Sequence, residues 1–126
     1  MQHINQQHEE RMLDFSVAVV RHCAKLKQPI LKPITSQVIR SASSIGANFV
    51  EANNGSSKQD FRNKIFIAKK EANKTKYWLQ MLQKLGDSTD ELQCLLSEVQ
   101  EFILILQKNH QYSKTQLTCC LLLVCW

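Results

Sequence analysis

An all-α chain, folded as an antiparallel up-down-up-down bundle of four helices, is what this sequence predicts. Three observations carry the prediction. Only three Gly and two Pro interrupt 126 residues, too few for turn-rich β structure, whereas helix-forming Leu, Lys, Gln, Ala and Glu abound. Apolar residues recur at i, i+3, i+4 and i+7 in four separate stretches, the spacing of one helix face. No βαβ alternation and no long-period repeat competes with that pattern. The mass of 14.6 kDa is one domain's worth, and 44% hydrophobic residues suffice for a core. The expected organisation is a polar, disordered leader over residues 1–8, a bundle over 9–108 and a tail over 109–126 outside the core.

Helix one is expected from about Glu9 to Lys27, with Leu13, Ser16, Val17, Val20, Cys23 and Ala24 on one face. Phe15, Val19 and Leu26 widen that face and suggest a second neighbour such as another subunit. Pro29 and Pro33 bracket a connector that cannot be helix interior. Helix two then starts around Ile34–Ser36, capped by Thr35 or Ser36, and runs to Asn53. Its apolar line is Ile34, Val38, Ala42, Ile45, Phe49 and Ala52, its only charges are Arg40 and Glu51, and its middle is thin. That composition marks it as the most buried helix. Gly46 costs about 1 kcal/mol against Ala in a helix interior, and either close packing or a kink explains it.

Asn53-Asn54-Gly55 tolerates a left-handed cap, and Ser57 with Asp60 forms a variant capping box. Helix three follows from Lys58 to about Leu85, roughly 40 Å long. Phe61, Ile65, Ala68, Ala72, Thr75, Leu79 and Leu82 make one continuous stripe along it. Gly86 ends it, and Ser88-Thr89-Asp90-Glu91 is a full capping box. Helix four turns Leu92, Leu95, Leu96, Val99, Phe102, Ile103 and Leu106 inward and fades at Lys108-Asn109. The apolar run Cys119–Trp126 is too short for a bilayer, which needs about 20 residues. It reads as a β-like edge, as a tail docked on an oligomer or, by preference, as non-native sequence appended to a complete domain.

Catalytic and metal-binding patterns are missing. No phosphate-binding glycine loop, zinc-protease motif or nucleophile elbow occurs. Five cysteines, three of them in the last eight residues, form no disulfide framework or zinc site. His22 lacks an acidic or cysteine partner one turn away, and Ser43 and Ser44 read as packing residues. No enzyme activity, cofactor or metal is expected. The polar N-terminus lacks an apolar signal core, so a reducing cytoplasm is the default and no membrane is involved.

Charge gives the one functional lead. Between Lys58 and Lys76 stand seven basic and two acidic residues, an excess equal to the net +5 of the whole chain. Lys58, Arg62, Lys69 and Lys76 fall within about 40° on a helical wheel. Such a row can track RNA or DNA phosphates, or it can be a solvated face; the two readings stand level. No aromatic residue interleaves this row. Tyr77 and Trp78 lie at the flanks of the helix and suit an interface.

The stretch RSASSIGANFVEANNGSSKQDFRNKIFIAKKEANKTKYWLQML resembles the bacterial four helix bundle protein family, also called the 23S rRNA intervening-sequence proteins. Its first block matches at Arg40, Ser43, Ser44, Ala47, Asn48, Glu51 and Ala52, its second at Ser57, Asp60 and Phe61. The third matches at Ile67, Ala68, Lys70, Glu71, Ala72, Tyr77, Trp78 and Leu79. The similarity covers roughly residues 9–108. It implies an antiparallel four-helix bundle assembled as a homopentameric ring. One branch resembles the accessory protein of diversity-generating retroelements, which binds a reverse transcriptase and nucleic acid. Lys74 departs from the family's frequent acid, and the tail lies outside its pattern. Arg40, Asn48 and Glu51 suit hydrogen bonding between helices or subunits better than catalysis. Two functions follow as expectations. One is an oligomeric bundle binding nucleic-acid backbone through the basic row. The other is an interaction scaffold or accessory subunit gripping a partner or its own copy through Phe15, Val19, Tyr77 and Trp78.

Overall fold

Four α-helices and one 3-10 turn make up the chain in the computed structural model, which describes the backbone of residues 2–124 and the side chains of residues 3 and 5–110. The helices are α1 (Gln2–Ala24), α2 (Lys32–Asn53), α3 (Lys58–Lys84) and α4 (Asp90–Val124), with the 3-10 turn at Pro29–Leu31. Contact is most extensive between α2 and α3, then α3 and α4, then α1 and α2; α1 and α4 close the circuit more sparsely. No strand occurs among the described residues. Nor is any helix there long and apolar enough to cross a membrane.

The apolar lines of α2, α3 and α4 meet in one core. Val38, Ala42, Ile45, Phe49 and Ala52 of α2 are buried, as are Ile65, Ala68, Ala72, Thr75, Leu79 and Leu82 of α3. From α4 come Leu92, Leu95, Val99, Phe102, Ile103 and Leu106. Ile34, Phe61 and Leu96 pack at its margin. One polar contact crosses this core: the Thr75 hydroxyl lies 2.9 Å from that of Ser41 and 2.8 Å from the Glu71 carbonyl.

Helix α1 turns a different face inward from the one its periodicity suggests. Met12, Phe15, Val19 and Cys23 are buried, whereas Leu13, Val17 and Val20 are 62%, 41% and 46% exposed. Two apolar lines run side by side on this helix, and the one carrying the bulkier groups reaches the centre. Phe15 meets Phe102 edge-to-face at 5.2 Å. Phe15 and Val19 are therefore core residues of the chain, not grips for a partner. Met12 fits because Gly46 stands opposite: a Cβ there would sit 3.3 Å from the Met12 Cβ. Close packing explains this glycine.

Helix ends bring further corrections. α1 starts at Gln2 and stops at Ala24, and α2 starts at Lys32 with Pro33 in its first turn, where proline is tolerated. Neither Thr35 nor Ser36 caps it; the Thr35 hydroxyl donates to the Lys32 carbonyl. The left-handed residue is Gly86 (φ 112°), where the amide of Asp87 returns to the Leu82 carbonyl. Gly55 has no such conformation and is needed for space, since a Cβ would sit 3.2 Å from the Ala52 carbonyl oxygen. Ser57 does cap α3 by accepting from the Asp60 amide at 3.1 Å. At α4 the cap is Thr89, which accepts from the Leu92 amide, because Glu91 is drawn away to His22 and Lys25. The α4 backbone continues past Lys108-Asn109 to Val124. The proposed roles of the side chains from Cys119 to Trp126 lie outside the described residues.

α2 is buried on one face only. Arg40, Ser43, Ala47, Val50 and Glu51 are exposed on the other, so small side chains did not exclude solvent. The exposed face of α2 and the outer edge of α1 border a groove of about 690 Å³ lined by Glu9, Leu13, Gly46 and Val50 among others.

Candidate nucleic-acid interface

The core stripe of α3 fixes what its opposite side presents. With Ile65, Ala72 and Leu79 buried, the 100° step of the helix turns Phe66, Lys70, Tyr77 and Lys84 to the far side and sets Asn73, Gln80 and the half-buried Arg62 and Lys69 between that side and the stripe. Apart from the Tyr77 hydroxyl, every polar group in that set is basic or an amide. The acids Asp60 and Glu71 lie on other sides of the helix and are engaged locally, Asp60 with Ser56 at 2.8 Å and Glu71 with Lys74 at 3.1 Å.

The four cations of the basic row have different commitments. Lys58 and Lys69 make no ion pair among the described residues. Arg62 donates to Gln59 at 2.9 Å on its own helix. Lys76 donates to Gln100 of α4 at 2.8 Å and is half-buried there. None of the four meets a carboxylate among the described residues. Lys64, by contrast, is neutralised by Glu51 of α2 at 2.5 Å. Three of the row's charges are thus available to an incoming anion, and the fourth is partly spent on the bundle.

The other residues singled out by sequence do not form one cluster. The Arg40 side chain is exposed and makes no ion pair or hydrogen bond among the described residues, while its carbonyl accepts from Ser43 and Ser44. Asn48 donates to the Ser44 carbonyl at 2.7 Å within α2, and Glu51 serves Lys64. Tyr77 is 62% exposed and meets the half-buried Trp78 edge-to-face at 5.2 Å. Phe66 and Lys70 were missed as a pair. Phe66 is 49% exposed, and the Lys70 ammonium lies 5.5 Å from its ring centre. The signal was present in the register, since Phe66 falls opposite the core stripe.

A second polar cluster joins α1 to the start of α4. His22, 3% exposed, places Nε2 2.6 Å from Asp87 and Nδ1 3.2 Å from Glu91, while Lys25 reaches Glu91 at 2.7 Å. Sequence distance hid these partners. Burial alone would raise the Asp87 carboxyl, but hydrogen bonds from His22 and Thr89 outweigh it and hold it below the ordinary aspartate value. Lys25 first, then His22, does the same for Glu91. Both imidazole nitrogens face carboxylates. The neighbouring Cys23 thiol is pushed up to about 11 by burial and by Asp87, so it is a poor nucleophile. The cluster is a clamp. No group of three or more His, Cys, Asp or Glu among the described residues could hold a metal ion.

Comparison with known proteins agrees with the architecture. A crystal structure of a protein of unknown function from the S23 ribosomal protein family of Bacteroides thetaiotaomicron VPI-5482 superposes with a TM-score of 0.76. It is 31% identical and aligns over 85% of this chain and 97% of that one. No curated protein matches. The family model described as 23S rRNA-intervening sequence protein matches residues 5–115. With most of its length matched, the chain belongs to the 23S rRNA-intervening sequence protein family.

Proposed function

We propose that this protein is a non-enzymatic, cytoplasmic bundle that binds RNA or DNA through the phosphate backbone, using the outward face of α3. The observation that carries the reading is that Lys58, Arg62 and Lys69 have no carboxylate partner among the described residues, on a helix whose neighbouring outward polar groups are amides and lysines. Cations held apart from acids on one helix release counterions when phosphates replace them, which makes affinity fall with salt. The contacts of α2's end with α3's start, and of α1's end with α4's start, support the antiparallel arrangement in which α3 lies free on one side.

Self-assembly belongs to the same reading. The exposed line Leu13, Val17 and Val20, together with Val50 and the unpaired Arg40, supports a homo-oligomer formed through α1 and α2. A copy number of five, as the family resemblance implies, belongs to this proposal. A ring built this way multiplies the α3 faces and leaves them outward.

The test is a salt titration of binding to a structured RNA. Each of Lys58→Gln, Arg62→Gln and Lys69→Gln should weaken binding and reduce the slope of log affinity against log salt by about 0.7–0.9. Lys76→Gln should do less, because Gln100 already holds that amine. A complex that forms equally well at low and high salt, or no complex at all, rejects the proposal.

A further inference from the structure

We propose that the outward face of α3 is a platform for single-stranded nucleic acid, on which unpaired bases stack against Phe66 and Tyr77 while Arg62, Lys69, Lys70 and Lys84 hold the phosphates. This rests on the backbone-binding reading above and goes beyond it, since phosphate contacts alone do not separate single strands from duplex. No aromatic stands within the row of Lys58, Arg62, Lys69 and Lys76 itself, but Phe66 and Tyr77 stand beside it on the same helix. Phe66 and Tyr77 are eleven positions apart, within about 20° of each other on the helix and about 16 Å along its axis. That distance spans roughly five nucleotides of a stacked strand, and fewer of an extended one.

Both rings are open to solvent. Phe66 is 49% exposed and Tyr77 62%. Each is held from one side. Phe66 lies 5.9 Å from the ring of His110 in α4, and Tyr77 packs edge-to-face on Trp78. Anchored aromatic rings lose little freedom when a base lands on them. Lys70, now 5.5 Å from the Phe66 ring centre, sits where it can exchange that ring for the phosphate of the stacked nucleotide. Lys69 and Lys84 make no ion pair among the described residues. The face is acid-free, so a polyanion meets no repulsion on it. A planar, polyanionic, unpaired strand fits these features together. A duplex buries its base faces and offers only phosphates, and an acidic protein surface would leave the rings without planar partners.

The experiment measures fluorescence anisotropy of labelled oligouridylate, oligothymidylate and a duplex of equal length against the full chain and its Phe66→Ala, Tyr77→Ala and Tyr77→Trp variants. Both single strands should bind more tightly than the duplex. Each alanine variant should lower single-strand affinity about five- to hundredfold, with duplex affinity and salt slope unchanged and Tyr77→Trp retaining tight binding. A preference for oligouridylate over oligothymidylate, or the reverse, assigns the strand as RNA or DNA. Equal binding of single strand and duplex, unaffected by the alanine variants, overturns the stacking platform while backbone binding stands. Loss of all binding in the parent chain overturns both. If the alanine variants lower the oligomer mass in light scattering and not single-strand affinity, the face is a protein interface and the platform is rejected. Both positions are exposed, so unchanged helical circular dichroism verifies that each variant folds.

Discussion

Asp87 is almost completely enclosed, its side chain 6% exposed, yet it is held ionised by the His22 ring and by Thr89. Because its folded value lies below the unfolded one, its contribution is complete above the ordinary aspartate range and is lost as pH falls through the folded value. Asp87→Asn should therefore cost about 1.5–3 kcal/mol at neutral pH, and urea unfolding should show the gap from the parent closing in acid. Gly46 works by size. Gly46→Leu would drive a side chain into Met12, already at contact distance for a single Cβ. The expected loss is about 1–3 kcal/mol, read as a lower urea midpoint with an unchanged slope. A gain in stability would show that α1 can shift away at no cost.

Among the elements, α2 and α3 were legible because each carries one apolar line at an unbroken helical period. Val38 through Ala52 and Ile65 through Leu82 went inside as their spacing required. α1 was not, because Leu13, Val17 and Val20 compete with Met12, Phe15 and Val19, and only the partners across the core choose between them. The α4 cap was misread for a similar reason: Glu91 satisfies the local pattern but is taken by residues far away in sequence. The basic row could be found by counting charges, whereas the free and the committed members could not be told apart without Gln100 and Glu51 in place. The end of α3 offers a check on the backbone itself. Gly86→Ala meets no steric neighbour, so its cost is conformational alone, roughly 1–2 kcal/mol. Chemical denaturation with a smaller loss would mean that the turn between α3 and α4 can adopt another shape.

For the whole molecule, the manner in which the bundle is closed matters more than the size of its core. α2 and α3 share the broadest contact, whereas α1 meets α4 sparsely, through the Phe15–Phe102 ring contact and two polar clusters. At one end Arg11 grips Glu98 with two bonds of 2.5 and 2.8 Å, also reaches Glu101, and lies 5.4 Å from the Phe102 ring centre. At the other end stands the His22 cluster. Such contacts weaken with salt and acid, while the apolar α2–α3 contact does not. The chain should therefore come apart in a fixed order. In native-state hydrogen exchange, amides of the α2–α3 pair are expected to be the slowest and those of α1 to open first, with salt widening the difference. Uniform exchange across all four helices would contradict this. A first helix that can lift away exposes Met12, Phe15 and Val19 together, so the seam between α1 and α4 is where two copies could trade helices and where a protease would find its earliest cut.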